Sequence, residues 1–274
     1  MKPITVAALA AAFVAGLALA PTTSLAGPYI LAGTDADDHG FANAGGNQDG
    51  WFFMQRAIEN LAPGVTNGSK FVVSLGSSAG QALNAAQSAF NLSILPSLGY
   101  TFQNIDGAAN INTFLSAGAS AAAAIIMLDS SSNNVVGGLT SVEEVALTAN
   151  AANLNSFLGA GGALFSQANS YGFLSALAAG LVVTANQALG ITLTAAGGAA
   201  FPGLSNSDLS AGPYHAVFSN VGAIPVLGTG TNGSVILGSS SGTITNPIPV
   251  PEPSSLAIVL AGLAGLSLTR RRRA

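Results

Sequence analysis

Five short apolar runs recur along this chain, each separated from the next by polar, glycine-rich or helix-patterned sequence. That rhythm restricts the fold more than any other feature. The runs are "PYILAG" (28–33), "KFVVSLG" (70–76), "YTFQNID" (100–106), "AAAAIIMLD" (121–129) and "GALFSQA" (162–168). Apolar runs of this length, bounded by Gly and polar residues, read as strands buried on both faces. After the first run, Phe53, Met54, Ala57, Ile58 and Leu61 fall on one helical face, with Gln55, Arg56, Glu59 and Asn60 opposite and Asp49 placed to cap. Residues 81–92 form a second, Ala-rich helical stretch. A third opens at "TSVEEVALTANAANLNSFLGAGG", where Ser141 and Glu144 are spaced for a capping box, Val142, Val145, Ala149 and Ala152 make a stripe, and Gly159 ends the helix.

Strand and helix alternating in this way predict an α/β domain over residues 27–245, with a mostly parallel sheet covered by helices on both faces. After residue 180 the pattern changes to strands and turns ("LVVTA", "GITLTAA", "AIPVLGTGTNGSVILGSS"), expected as antiparallel additions at one edge. No repeat of fixed period is visible, which argues against a solenoid or propeller. With "FPGLSNSDLS" and "PYHAVF" near its end, this order resembles flavodoxin-like folds and the class I glutamine amidotransferase-like superfamily. That resemblance implies the sheet architecture, but it supplies no nucleophile. The family's amidotransferases use a Cys and this chain has none, so amide-nitrogen transfer is excluded.

The chain avoids charge. Only 7% of its residues are Asp, Glu, Lys or Arg, against about 25% in an ordinary domain. Between residues 27 and 250 the only basic residues are Arg56 and Lys70, set against ten acids, so no basic stripe is available for nucleic acid. Surface polarity must come from Asn, Ser, Thr, Gln and backbone groups, which suit a neutral polar partner such as polysaccharide. With no Cys, disulfides and thiolate metal sites are excluded as well.

Both ends read as export signals. Lys2, an apolar stretch over 6–20 and the small residues Ser24 and Ala26 form a secretory signal peptide over residues 1–26, cut after Ala26, engaging the Sec translocon and signal peptidase. At the other end a Pro-rich linker (246–253) precedes the apolar run 256–268, which is short of the roughly 20 residues a spanning helix wants. Arg270, Arg271, Arg272 and Arg273 would hold that end on the cytoplasmic side. Pro251-Glu252-Pro253, an apolar helix and a basic cluster, in that order over 246–274, resemble the PEP-CTERM sorting signal of Gram-negative bacteria. The same tail also carries the label of an ice-binding-protein C-terminal domain, which concerns the tail and not the body. The resemblance implies recognition by an exosortase after transient anchoring in the inner membrane. Release to the periplasm, cell surface or extracellular matrix would follow, in bacteria that make exopolysaccharide and biofilm.

In open parallel sheets ligands gather beyond the carboxyl ends of the strands. Asp35, Asp37, Asp38 and His39 follow the first strand, Asp106 ends the third and Asp129 the fourth, so these groups are expected on one edge. "DADDHG" (35–40) begins like a calcium loop, but His39 and Gly46 stand where an EF-hand needs oxygen ligands. The segment still offers a divalent cation such as calcium the ligands Asp35, Asp37, Asp38 and His39; the plainer reading is solubilising turn caps. "GSSAG" (76–80) fits a nucleophile elbow, giving Ser78, Asp129 or Asp208, and His215 the chain order of a hydrolase triad, although "GSSSG" (238–242) fits equally well. "GTGTNG" (228–233) reads as a hairpin turn, since a strand follows it. "DSSS" (129–132) lacks the last position of the von Willebrand metal motif. A non-catalytic, exported binding or matrix component is the leading expectation. A hydrolase comes second and an ice or surface adhesin last.

Overall fold

The computed structural model describes residues 27–116 and 118–238. The signal peptide, the linker, the tail and most of "GSSSG" lie outside the described residues, and with them the expected signal and membrane helices. Among the described residues no helix is long and apolar enough to cross a membrane.

All five apolar runs are strands: β1 (Tyr29–Ala32), β4 (Phe71–Leu75), β5 (Thr101–Ile105), β6 (Ala123–Leu128) and β7 (Ala163–Ser166). They pair in parallel in the order β5-β4-β6-β7-β1. The sheet continues through β12 (Gly233–Gly238), β10 (Tyr214–Ser219) and β8 (Val182–Ala188), all antiparallel, as expected for the segment after residue 180. The short β9 (Thr192–Leu193) and β11 (Val226–Gly230) attach through β12. "GTGTNG" is the β11–β12 hairpin. A small separate hairpin, β2 (Gly40–Asn43) with β3 (Gly46–Gln48), leaves the loop after β1.

Helices α1 (Asp49–Leu61) and α2 (Gln81–Asn91) cover one face, with α3 (Ala108–Ser116), α4 (Ser141–Ala149) and α5 (Ala151–Gly159) on the other. Alternation along each strand divides the core. Ile125 and Met127 face α1 and α2, whereas Ile126 and Leu128 face α3, α4 and α5. Phe53 of α1 stands edge-on to Phe165 and Phe201 at 5.7 and 5.3 Å.

Three local expectations are corrected. Asp49 does not cap α1; it is the first helical residue, at φ +54°, and Gln48 precedes it without a side-chain capping bond. The capping box belongs to Thr140 and Glu143, one residue earlier than expected, because Glu143 also accepts the Gly107 N–H (2.8 Å) and so ties α4 to the end of β5. The stripe Val142, Val145, Ala149 and Ala152 faces outward. Ala146, Leu147, Leu154 and Phe157 are buried in its place, and the helix breaks at Asn150.

At the start of the described chain, the Gly27 N–H donates to the Leu158 carbonyl (2.6 Å). A Cβ at Gly27 would stand 1.8 Å from the Gly162 carbonyl oxygen.

Candidate functional site at the carboxyl edge of the sheet

Where β1 ends, the chain turns through residues 33–39, and every neighbouring element holds that turn. The Gly33 carbonyl accepts the N–H groups of His215 (2.6 Å) and Ala216 (3.0 Å), and the Thr34 carbonyl accepts that of Ala168 (2.9 Å). Gln167 Oε1 accepts the Asp37 N–H (3.2 Å), while Trp51 Nε1 and Gln81 Nε2 donate to the carbonyls of Asp37 (3.0 Å) and Asp38 (2.6 Å). The backbone of the loop is thus held by hydrogen bonds from several elements, and its four titratable side chains have defined places.

Two of the edge's carboxyls face inward. Asp37 is fully buried and accepts the Ser130 N–H (2.9 Å) and hydroxyl (2.7 Å). Burial pushes its carboxyl up to about 6, against the opposing effect of the Ser130 bonds. Asp129 is also fully buried; it accepts the Ser77 hydroxyl through Oδ2 and leaves Oδ1 without a partner. Burial, reinforced by the charge of Asp37, raises it well above the carboxylate range. Ser77 shares a 2.5 Å contact with the Ser74 hydroxyl. Nearby, the Tyr171 hydroxyl donates to the Ala32 carbonyl from a residue at φ +50°. This inner group can hold a proton, and the Ser77 and Ser130 hydroxyls are spent on its acids.

The other acids of the turn gather at two histidines, Asp35 buried and Asp38 half-buried. Asp35 Oδ2 lies 3.3 Å from His39 Nε2 and 3.0 Å from His215 Nε2, and Asp38 Oδ2 lies 3.6 Å from His39 Nε2. Burial raises Asp35, and the two imidazoles oppose that rise. Thr34, Asp35, His39 and Asp208 line a cleft with about 10 Å³ of free volume, room for one water. Gly212 roofs His39, since a Cβ there would stand 2.0 Å from the ring.

The structure therefore brings together most of the residues singled out in the sequence, in a different arrangement. Asp35, Asp38 and His39 converge, but Asp37, expected with them, turns its oxygens to Ser130. His215 meets Asp35 rather than Asp129 or Asp208; Asp208 caps the short helix Asn206–Leu209 through Ser205. Ser78 is half-buried, its N–H on the Gly137 carbonyl (2.8 Å), and among the described residues no hydrogen bond joins it to His215. Asp106 is exposed at the edge beside Glu143. Sequence reasoning missed Ser77, Ser130, Gln167 and Glu143. Each follows a strand or opens a helix, and that position was the available signal.

The family model for the PEP-CTERM protein-sorting motif matches residues 249–273. No curated protein and no solved structure matches the chain. The motif marks an exported protein of the kind that exosortases recognise in Gram-negative bacteria.

Proposed function

We propose that the protein is processed by an exosortase near Pro251-Glu252-Pro253 and then acts at the cell surface or in the extracellular matrix as a non-catalytic binding component associated with exopolysaccharide. The sorting motif at 249–273 carries this reading. A binding rather than catalytic body is supported by the strand-end edge, where buried hydroxyls bond buried acids and the cleft beside Asp35 and His39 has room for one water. A body poor in charge and rich in neutral polar groups suits a polysaccharide, whose hydroxyls offer hydrogen bonds without formal charge.

Mass spectrometry of the mature protein from its native host tests the sorting. The expected product lacks the basic tail, and an intact Arg273-Ala274 end on most of the protein overturns it. Co-sedimentation with the host's exopolysaccharide tests the body's role. Protein left wholly in the supernatant removes the matrix assignment.

Hydrolysis is the second reading, favoured by the 3.0 Å pair of His215 and Asp35, which resembles an oriented base. A phosphonylated Ser78, formed with loss of fluoride on treatment with a fluorophosphonate probe, would establish it.

A further inference from the structure

We infer that Asp35, Asp38 and His39 form a divalent-cation site selective for ions that accept an imidazole nitrogen, zinc first among them. One donor atom from each of the three lies within 4.8 Å of the others. Ligands about 2.0–2.1 Å from a tetrahedral zinc stand about 3.3 Å apart. The 3.3 Å from Asp35 to His39 and the 3.6 Å from Asp38 to His39 are close to that spacing before any ion draws them in.

A second observation points to a ligand beside Asp35 and His39. Thr34 lines the cleft at 4% exposure, and its Oγ1 is buried without a hydrogen-bond partner. Orphan polar atoms of this kind are rare unless a water or ion completes them. An ion-bound water in the cleft would use the Thr34 hydroxyl.

Charge fits as well. Two carboxylates and a neutral imidazole present −2 to a cation, and neither basic side chain of the described body competes for them. Arg56 pairs with Glu59 (2.5 Å), and Lys70 lies over the Tyr100 ring (4.2 Å). His215, 3.0 Å from Asp35, supplies the outer hydrogen bond that metal-bound carboxylates characteristically receive. Asp38 and His39 keep about a third of their side-chain surface in solvent, which leaves an entry path. Calcium suits the cluster poorly, because it wants six to eight oxygens at about 2.3–2.6 Å and one donor here is nitrogen.

Equilibrium dialysis of the full chain against zinc, manganese or calcium chloride, each alone, tests the site. One zinc per chain is expected, with calcium at least about 100-fold weaker. Asp38→Asn and His39→Gln should each weaken zinc by about 10-fold or more while leaving the circular dichroism melt within a few degrees. Asp38 is the more exposed of the two, so its variant keeps the test alive if His39→Gln misfolds. Absence of stoichiometric zinc, zinc binding untouched by Asp38→Asn, or calcium bound more tightly than zinc would each overturn the site.

Discussion

Asp37 and Asp129 on one side, and Asp35 and Asp38 on the other, sit at the same edge of one sheet, yet they have opposite characters. The inner pair is sealed and bonded to serine hydroxyls, and burial raises both carboxyls, Asp37 to about 6 and Asp129 well above its ordinary value. The outer pair has imidazoles for partners and, through Asp38, a way to solvent. Desolvation without a cation favours the neutral acid, whereas a nearby imidazole favours the carboxylate. The single turn over residues 33–39 therefore serves two purposes. Its inward acid fastens β1 to β6, and its other two acids converge on His39.

The largest effect that would separate the two groups is on stability. Asp37→Ala removes the acceptor of both Ser130 bonds and leaves buried donors unpaired, which should cost about 3 kcal/mol in urea denaturation. Asp38→Ala should change stability by no more than about 0.5 kcal/mol. Equal losses would erase the distinction. Next comes Gly212→Ala, whose new methyl overlaps the His39 ring. It should cost about 1–2 kcal/mol and abolish zinc uptake while leaving the inner pair's bonds in place. Retention of zinc by that variant would show that His39 is not held by the roof.

The smallest effect is a pH slope. Because the Asp129 carboxyl is raised in the folded state, the unfolded chain gives up this proton first, from about pH 4 upward. Stability contributed by the neutral acid is complete below that pH and is lost as pH rises toward the folded-state value. Asp129→Asn keeps an acceptor for Ser77 without the titration, so its melting temperature should fall less between pH 5 and 8 than that of the parent. Parallel slopes would place the proton elsewhere.

What the sequence disclosed follows from the kind of signal each feature leaves. The five strands were legible because two-sided burial demands unbroken apolar runs, and the acids at their ends because strand ends mark the ligand edge. Which acid turns inward was not legible, since Asp37 and Asp38 differ only in the direction the loop gives them, and Gln167 and Trp51, distant in sequence, set that direction. The outward-facing stripe of α4 and α5 shows the same limit. Val142 and Val145 are as apolar as the buried Leu147, but Glu143 is drawn inward by Gly107, and that rotates the helix against its valines. His215 found its acid across the antiparallel half of the sheet, a pairing that chain order cannot reveal.

Gly27 has a consequence for maturation. Cleavage after Ala26 would turn its amide nitrogen into an α-ammonium resting on a last-turn carbonyl of α5, at the negative pole of that helix. The peptidase would then supply a helix cap, worth about 0.3–1 kcal/mol by the general strength of such contacts. A chain beginning at Gly27 with an acetylated amine should melt slightly below the same chain with a free one. Only a residue without a side chain can lie so close to the Gly162 carbonyl, so the first residue of the exported protein would be a fitted part of its core.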